Sequence, residues 1–198
     1  MTAETTLPTV EWTPKARLIL DAASALFYEH GIHAVGVDSI AAAAGVTKRT
    51  LYDRFGSKEQ LVVEYLRARN AAWQEFLRSR LDAADASPSA QLAAIFDATR
   101  DWSEDRGHKG CAMINAHAEI SDPGHPAFSI IVGQKHELQD LFTSIATKAG
   151  VPDSHTLAQR LFILHEGALV TAGMGVEPGA LDAARDFALE TFDGQQSN

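Results

Sequence analysis

Residues 46–61 run VTKRTLYDRFGSKEQL, and their reading decides the fold. Lys48, Arg49, Arg54 and Lys58 fall within this stretch, with Tyr52 among them, in a chain of 198 residues whose formal net charge is −9. Just upstream, DSIAAAA (38–44) has helical composition and is stopped by Gly45, which supplies the positive-φ position of a tight turn. Val46, Leu51 and Phe55 give the second short segment, about 47–54, an apolar side and exit. Thr47, Lys48, Arg49, Thr50, Tyr52 and Arg54 are thereby left for solvent, phosphate or base edges. Two short helices about a glycine, the second basic and followed at once by a third helix start, have the form of a helix-turn-helix.

The charge pattern agrees. Residues 1–58 hold six Lys/Arg and six Asp/Glu, so the whole deficit lies beyond residue 58. The first third of the chain can approach an anion that the rest would repel. Thr47 opens one short helix and Ser57-Lys58 the next, and helix starts carry free amides that attract phosphate. Phosphate contacts that fix orientation, beside a few side chains that read a groove, are what double-stranded DNA requires of a protein.

Outward from this core the chain reads as helical throughout. Thr13-Pro14 has the form of an N-cap followed by proline at the first helical position. Leu18, Ile19, Ala22, Ala23, Leu26 and Phe27 are expected on one face of the segment that follows, and Gly31 ends it. Ser57-Lys58-Glu59-Gln60 matches a capping box opening a long helix to about 84. Further helices are expected over about 88–106, 111–120, 126–149, 154–174 and 179–192, separated by DPGHP, AGVPD and GVEPG turns. The long helix from 57 is expected to join two parts stiffly.

The stretches ILDAASALFYEHG and VDSIAAAAGVTKRTLYDRFGSKEQLV, within about residues 14–62, strongly resemble the tetracycline-repressor (TetR) family of bacterial regulators. The resemblance covers roughly a quarter of the chain. It implies an all-α fold: an N-terminal three-helix helix-turn-helix domain, joined by a long helix to a C-terminal helical domain for ligand binding and dimerisation. The expected division is an arm at 1–12, the DNA-binding domain at 13–58 and the effector and dimerisation domain at 59–198. The resemblance further implies that Thr47, Lys48 and Arg49 face the major groove and that Tyr52 and Lys58 hold phosphates. Ile40, Gly45, Val46, Leu51 and Phe55 are then scaffold. Gly36 stands where the family commonly has a capping Ser or Thr, and Asp38 where a basic or neutral residue is frequent.

A homodimer is also implied. In the late helices Leu157, Leu161, Leu164, Ala168 and Ala172 form one stripe, and Leu181, Ala184 and Ala188 another; both are expected at an isologous four-helix contact. A small apolar or aromatic effector is expected among Trp73, Phe76, Trp102, Met113, Asn115, His117, His136, Phe162 and His165. The function expected is that of a homodimeric repressor released from a palindromic operator by that effector, with half-sites about one turn, ~34 Å, apart. Two alternatives stay open: a dimeric regulator without an effector, and a sequence-tolerant architectural DNA binder.

Other chemistry finds little support. No G-x-S-x-G, Gly-rich phosphate loop or Cys-His arrangement points to catalysis, so no catalytic residue and no cofactor is expected. The eight histidines show no metal-ligand spacing. Cys111 is the one cysteine; with no second thiol to resolve an oxidised form it reads as a small hydrophobe at a helix start. No signal peptide or apolar run of about 18 residues is visible, and a cytoplasmic location without membrane contact is expected.

Overall fold

Thr13 caps the first helix as its sequence suggests. Its hydroxyl accepts from the amide of Ala16 at 3.2 Å, with Pro14 in the first turn. This is a computed structural model, in which residues 10–106 and 109–196 are described; the expected arm at 1–12 lies largely outside them. Among the described residues there are nine helices and no strand: α1 (Pro14–His30), α2 (Val37–Ala43), α3 (Lys48–Phe55), α4 (Lys58–Ala83), α5 (Pro88–Arg106), α6 (Ala112–Glu119), α7 (Phe128–Lys148), α8 (Ser154–Gly173) and α9 (Ala180–Gln196). The fold is the all-α arrangement expected, with a helix-turn-helix near the N-terminus.

The chain forms two compact units. The first comprises Met1–Asn70 and Ala112–Val132; the second comprises Ala71–Cys111 and Gly133–Asn198. This partition differs from a break at residue 58, because the first part of α4 and all of α6 belong with α1–α3.

In the first unit α1, α2 and α3 pack on one another. Ile19, Ala23 and Phe27 of α1, Ile40 of α2, and Leu51 and Phe55 of α3 are buried there, with Leu61 and Leu66 of α4. Burying one such leucine contributes roughly 1.5–3 kcal/mol. The α1 face is rotated slightly from the one expected: Leu18 is 53% exposed, while Leu20 and Ala16 are buried. The two leucines are 200° apart on a helical wheel of ~100° per residue, so the inward face can take only one.

The second unit packs α5 against α9 and α8 against α9. Its core includes Leu92, Ile95, Phe96, Phe142, Leu157, Leu161, Leu181, Ala188 and Phe192. Arg100 ties the end of this core together, with Nη1 2.6 Å from Asp182 and 3.0 Å from Asp97; Arg185 reaches Asp97 at 2.8 Å. No helix among the described residues is long and apolar enough to cross a membrane.

Candidate nucleic-acid interface

The element expected to meet DNA is α3. Thr47 stands at its N-cap with φ −81° and ψ 152°, and its Oγ1 accepts the amide of Thr50 at 3.1 Å. Gly45, at φ 64°, sets the turn between α2 and α3, a backbone conformation costly for any residue with a Cβ. Leu51 and Phe55 turn inward, and Trp12 stands edge-on to Phe55 with ring centroids 6.4 Å apart. With those two side chains buried, helical geometry turns Thr47, Lys48, Arg49 and Tyr52 outward, all exposed, while Thr50 and Arg54 are half-buried.

Each cation of α3 has a carboxylate beside it. Lys48 Nζ lies 3.0 Å from Asp38 Oδ2, Arg54 Nη1 3.2 Å from Glu11 Oε2, and Arg49 Nε 3.9 Å from Asp53 Oδ2. The hydrogen bond to Asp38, with its charge, raises the pKa of Lys48. Pairs this exposed are worth ~0–1 kcal/mol in proteins generally, so a phosphate can displace the carboxylate at small cost.

Lys58 differs from these. It is half-buried at the start of α4, with its ammonium 5.8 Å from the Phe27 ring centre. Burial lowers its pKa, and the charge of Glu119 opposes that. Ser57 caps α4 by accepting the amide of Gln60 at 3.0 Å, but the reciprocal half of the expected capping box is missing. The amide of Ser57 donates instead to Phe55 O at 2.7 Å. Gln60 spends its amino group on Glu64 at 2.7 Å, and its Oε1 is buried without a partner.

The nine residues expected around an effector are divided between the two units. Met113, Asn115 and His117 belong to the first unit, where Met113 is buried and the His117 ring lies tilted against Phe128, centroids 5.8 Å apart. In the second unit Trp73, Phe76 and Trp102 form an aromatic cluster, with Trp102 5.5 Å from Trp73 and 5.3 Å from Phe76. Phe162 packs half-buried against the core, and His136 is exposed. His165 is 2% exposed, edge-on to Phe96 and Phe142, with Nε2 2.8 Å from Thr99 Oγ1.

A groove of about 280 Å³ in the second unit is lined by Trp73, Gln74, Leu77, Arg78, Leu81, Glu137, Leu138 and Leu141. Of the expected set, Trp73 alone lines it. The sequence did carry a signal: Trp73, Leu77 and Leu81 recur at four-residue spacing, and Leu138 and Leu141 at three. That pattern marks an apolar face without telling an open groove from a closed core.

The stripes expected at a dimer contact point inward. Leu157, Leu161, Ala168, Leu181, Ala184 and Ala188 are buried within the chain's own core; Leu164 and Ala172 are half-buried against it. Helical periodicity locates an apolar face but does not say what covers it. The outward apolar residues of these helices and their connection are Ile163, Met174, Val176 and Phe187, each at least 60% exposed.

One largely enclosed charged cluster escaped the sequence reading. Lys135 Nζ lies 2.6 Å from Glu166 and 3.2 Å from Cys111 Sγ, and Glu166 is in turn 3.2 Å from His165 Nδ1. Burial pushes the Lys135 pKa down, but the charges of Cys111 and Glu166 outweigh it and the net direction is up. For Glu166 burial acts upward, and the His165 hydrogen bond and the Lys135 charge bring it below its ordinary value.

Residues 19–65 match the sequence profile of the bacterial regulatory proteins of the tetR family. Over 130 residues the chain is 29% identical to the HTH-type transcriptional repressor KstR2 of Mycobacterium tuberculosis, a match covering 64% of this chain and 62% of that protein's length. Among solved structures, it is 32% identical to one from Streptomyces avermitilis assigned as a TetR transcriptional regulator, with TM-score 0.74 and coverage of 89% of this chain and 98% of the other. A TetR-family transcriptional regulator from Streptomyces coelicolor aligns with TM-score 0.82 at 26% identity, covering 93% of this chain and 89% of its own.

Proposed function

The chain belongs to the TetR family of bacterial regulatory proteins, and from that premise we propose that it is a homodimeric repressor reading an inverted-repeat operator through α3. The observation that carries this reading is the two-sided character of α3. Leu51 and Phe55 anchor it from behind, while Thr47, Lys48, Arg49 and Tyr52 face outward beside a capped helix start. Lys48 and Arg49 are suited to base edges, with Thr47 beside them. Tyr52, Arg54 and Lys58 are suited to phosphates, and Thr50 to either.

A second copy of the chain fits the outward residues of α8 and α9. Ile163, Met174, Val176 and Phe187 are large apolar side chains left in water, and an isologous contact between copies would cover them on both partners. The functional division then runs at residue 58, with 13–58 reading DNA and 59–198 serving dimerisation and an effector. For that effector the groove at Trp73, Leu77, Leu138 and Leu141 supports a small apolar or aromatic molecule. Such a molecule releases the operator only if it binds the released state more tightly. Operator DNA must in return weaken its binding by the same factor.

The test is selection of bound fragments from a random duplex pool by the purified full chain at near-physiological salt. Enrichment of an inverted repeat is the expected result. Retention of DNA without a shared motif would support the architectural reading instead, and no retention would contradict DNA recognition by α3.

A further inference from the structure

The turn from α1 to α2 is held by a residue far away in sequence. After Gly31, at φ 88°, the consecutive amides of Ile32 and His33 both point to the carboxylate of Glu119, the last residue of α6. Ile32 N donates to Oε1 at 2.8 Å and His33 N to Oε2 at 2.6 Å, and His33 Nδ1 is 3.2 Å from the same Oε2. Two successive amides aimed at one anion form a backbone nest, and bonds to a charged acceptor are short and strong. Gly31 leaves room for the carboxylate, since a Cβ there would lie 3.1 Å from Oε1.

The segment that follows needs this support. α2 is seven residues long, and Gly36 at its N-cap makes no side-chain hydrogen bond to it. A short helix without a cap is not fixed by its own ends, so its entry is set by whatever anchors the residues before it. Here that anchor is Glu119. The same carboxylate acts electrostatically on Lys58, which opens α4 just after α3. One charge on α6 therefore bears on both flanks of the helix-turn-helix, and α6 lies in the same compact unit.

We propose that Glu119 is a positioning residue for DNA recognition: through the α1–α2 turn it fixes α2, and with it the attitude of α3. It touches no DNA itself. The proposal rests on the reading of α3 as the DNA-contacting helix. It also makes the grip of Glu119 on the turn the point at which any movement of α6 is felt by the reading helix.

The sign of the expected effect separates positioning from simple charge. Removing a negative charge from a DNA-binding unit should by itself tighten binding to every duplex. Loss of the anchor should instead weaken binding to the preferred sequence. The full chain and its Glu119→Ala and Glu119→Gln variants are titrated with the duplex that the parent enriches from a random pool, and with a scrambled duplex of equal composition. Amide hydrogen exchange at Ile32 and His33 is followed in the same samples. Glu119→Ala is expected to bind the enriched duplex roughly tenfold more weakly while changing less than about twofold on the scrambled one. Both amides should exchange faster. Glu119→Gln keeps one acceptor oxygen and should fall between, which guards against an alanine variant that folds poorly. Equal or tighter binding of the enriched duplex by both variants would overturn the proposal, as would an equal loss on both duplexes. A parent that retains no duplex from the pool would overturn the reading of α3 itself, and one that retains DNA without a shared motif would overturn sequence-specific recognition; both results are distinct from those of the variants.

Discussion

The two compact units use charge in opposite ways. On α3 the pairs Lys48–Asp38 and Arg49–Asp53 lie in solvent, and Arg54–Glu11 only partly out of it. In the second unit Lys135 and Glu166 meet with side chains only 17% and 14% exposed, and Glu166 also engages the buried His165. An exposed pair contributes little and is readily exchanged for another partner; a pair withdrawn from water cannot lose one member without stranding the other. The cations of α3 can thus exchange partners at small cost, whereas Lys135 and Glu166 depend on each other.

The largest effect should come from breaking the withdrawn pair. Glu166→Ala leaves the largely enclosed Lys135 ammonium facing Cys111 without its carboxylate, and is expected to destabilise the fold by about 3 kcal/mol in urea unfolding. Replacing both, as Lys135→Met with Glu166→Leu, should recover most of that loss. A double variant as unstable as the single one would mean that packing rather than charge holds this region.

Acid should act on the same pair. The folded pKa of Glu166 is depressed, so its contribution is present above the unfolded carboxylate value near 4.5 and is lost as pH falls through the folded value. Stability of the parent should therefore drop more steeply below about pH 4.5 than that of Glu166→Gln, read from urea midpoints at several pH values. Parallel curves would contradict the assignment.

In the first unit Thr47→Ala removes the cap of α3 and should cost about 1 kcal/mol, visible in the same unfolding experiment. Smallest of all for stability is Asp38→Asn. It should leave the urea midpoint unchanged and free Lys48, so that affinity for scrambled duplex rises a few-fold at low salt. Lys48→Ala should weaken binding to all duplexes and relax the choice of one or two base pairs. If Asp38→Asn weakened binding instead, the carboxylate would be holding Lys48 in its reading position rather than in reserve.

Much of this architecture was legible because its signals are local. Thr13-Pro14, Gly31, Gly45 and Ser57 punctuate the chain within a few residues of the helix ends they set, and the bounds follow almost to the residue. The inward set of α3 was equally plain from Leu51 and Phe55. What the sequence hid depends on distance. Glu119 meets Ile32 across 87 positions and Lys135 meets Glu166 across 31, and no spacing rule links such residues before the chain has folded. The stripes of α8 and α9 show a third kind of difficulty. Leu161 and Ala188 were visibly apolar, but the same periodicity serves a core and an interface, and only the packing of α5 against α9 and α9 against α8 decides.

DNA is expected to meet α3 of the first unit and to be avoided by the acidic second unit. The most direct measurement is amide hydrogen exchange of the full chain with and without a short mixed-sequence duplex at low salt. Slowed exchange confined to about residues 45–60, with α5, α8 and α9 unchanged, is the result expected. Slowed exchange in those three helices with none in α3 would contradict it.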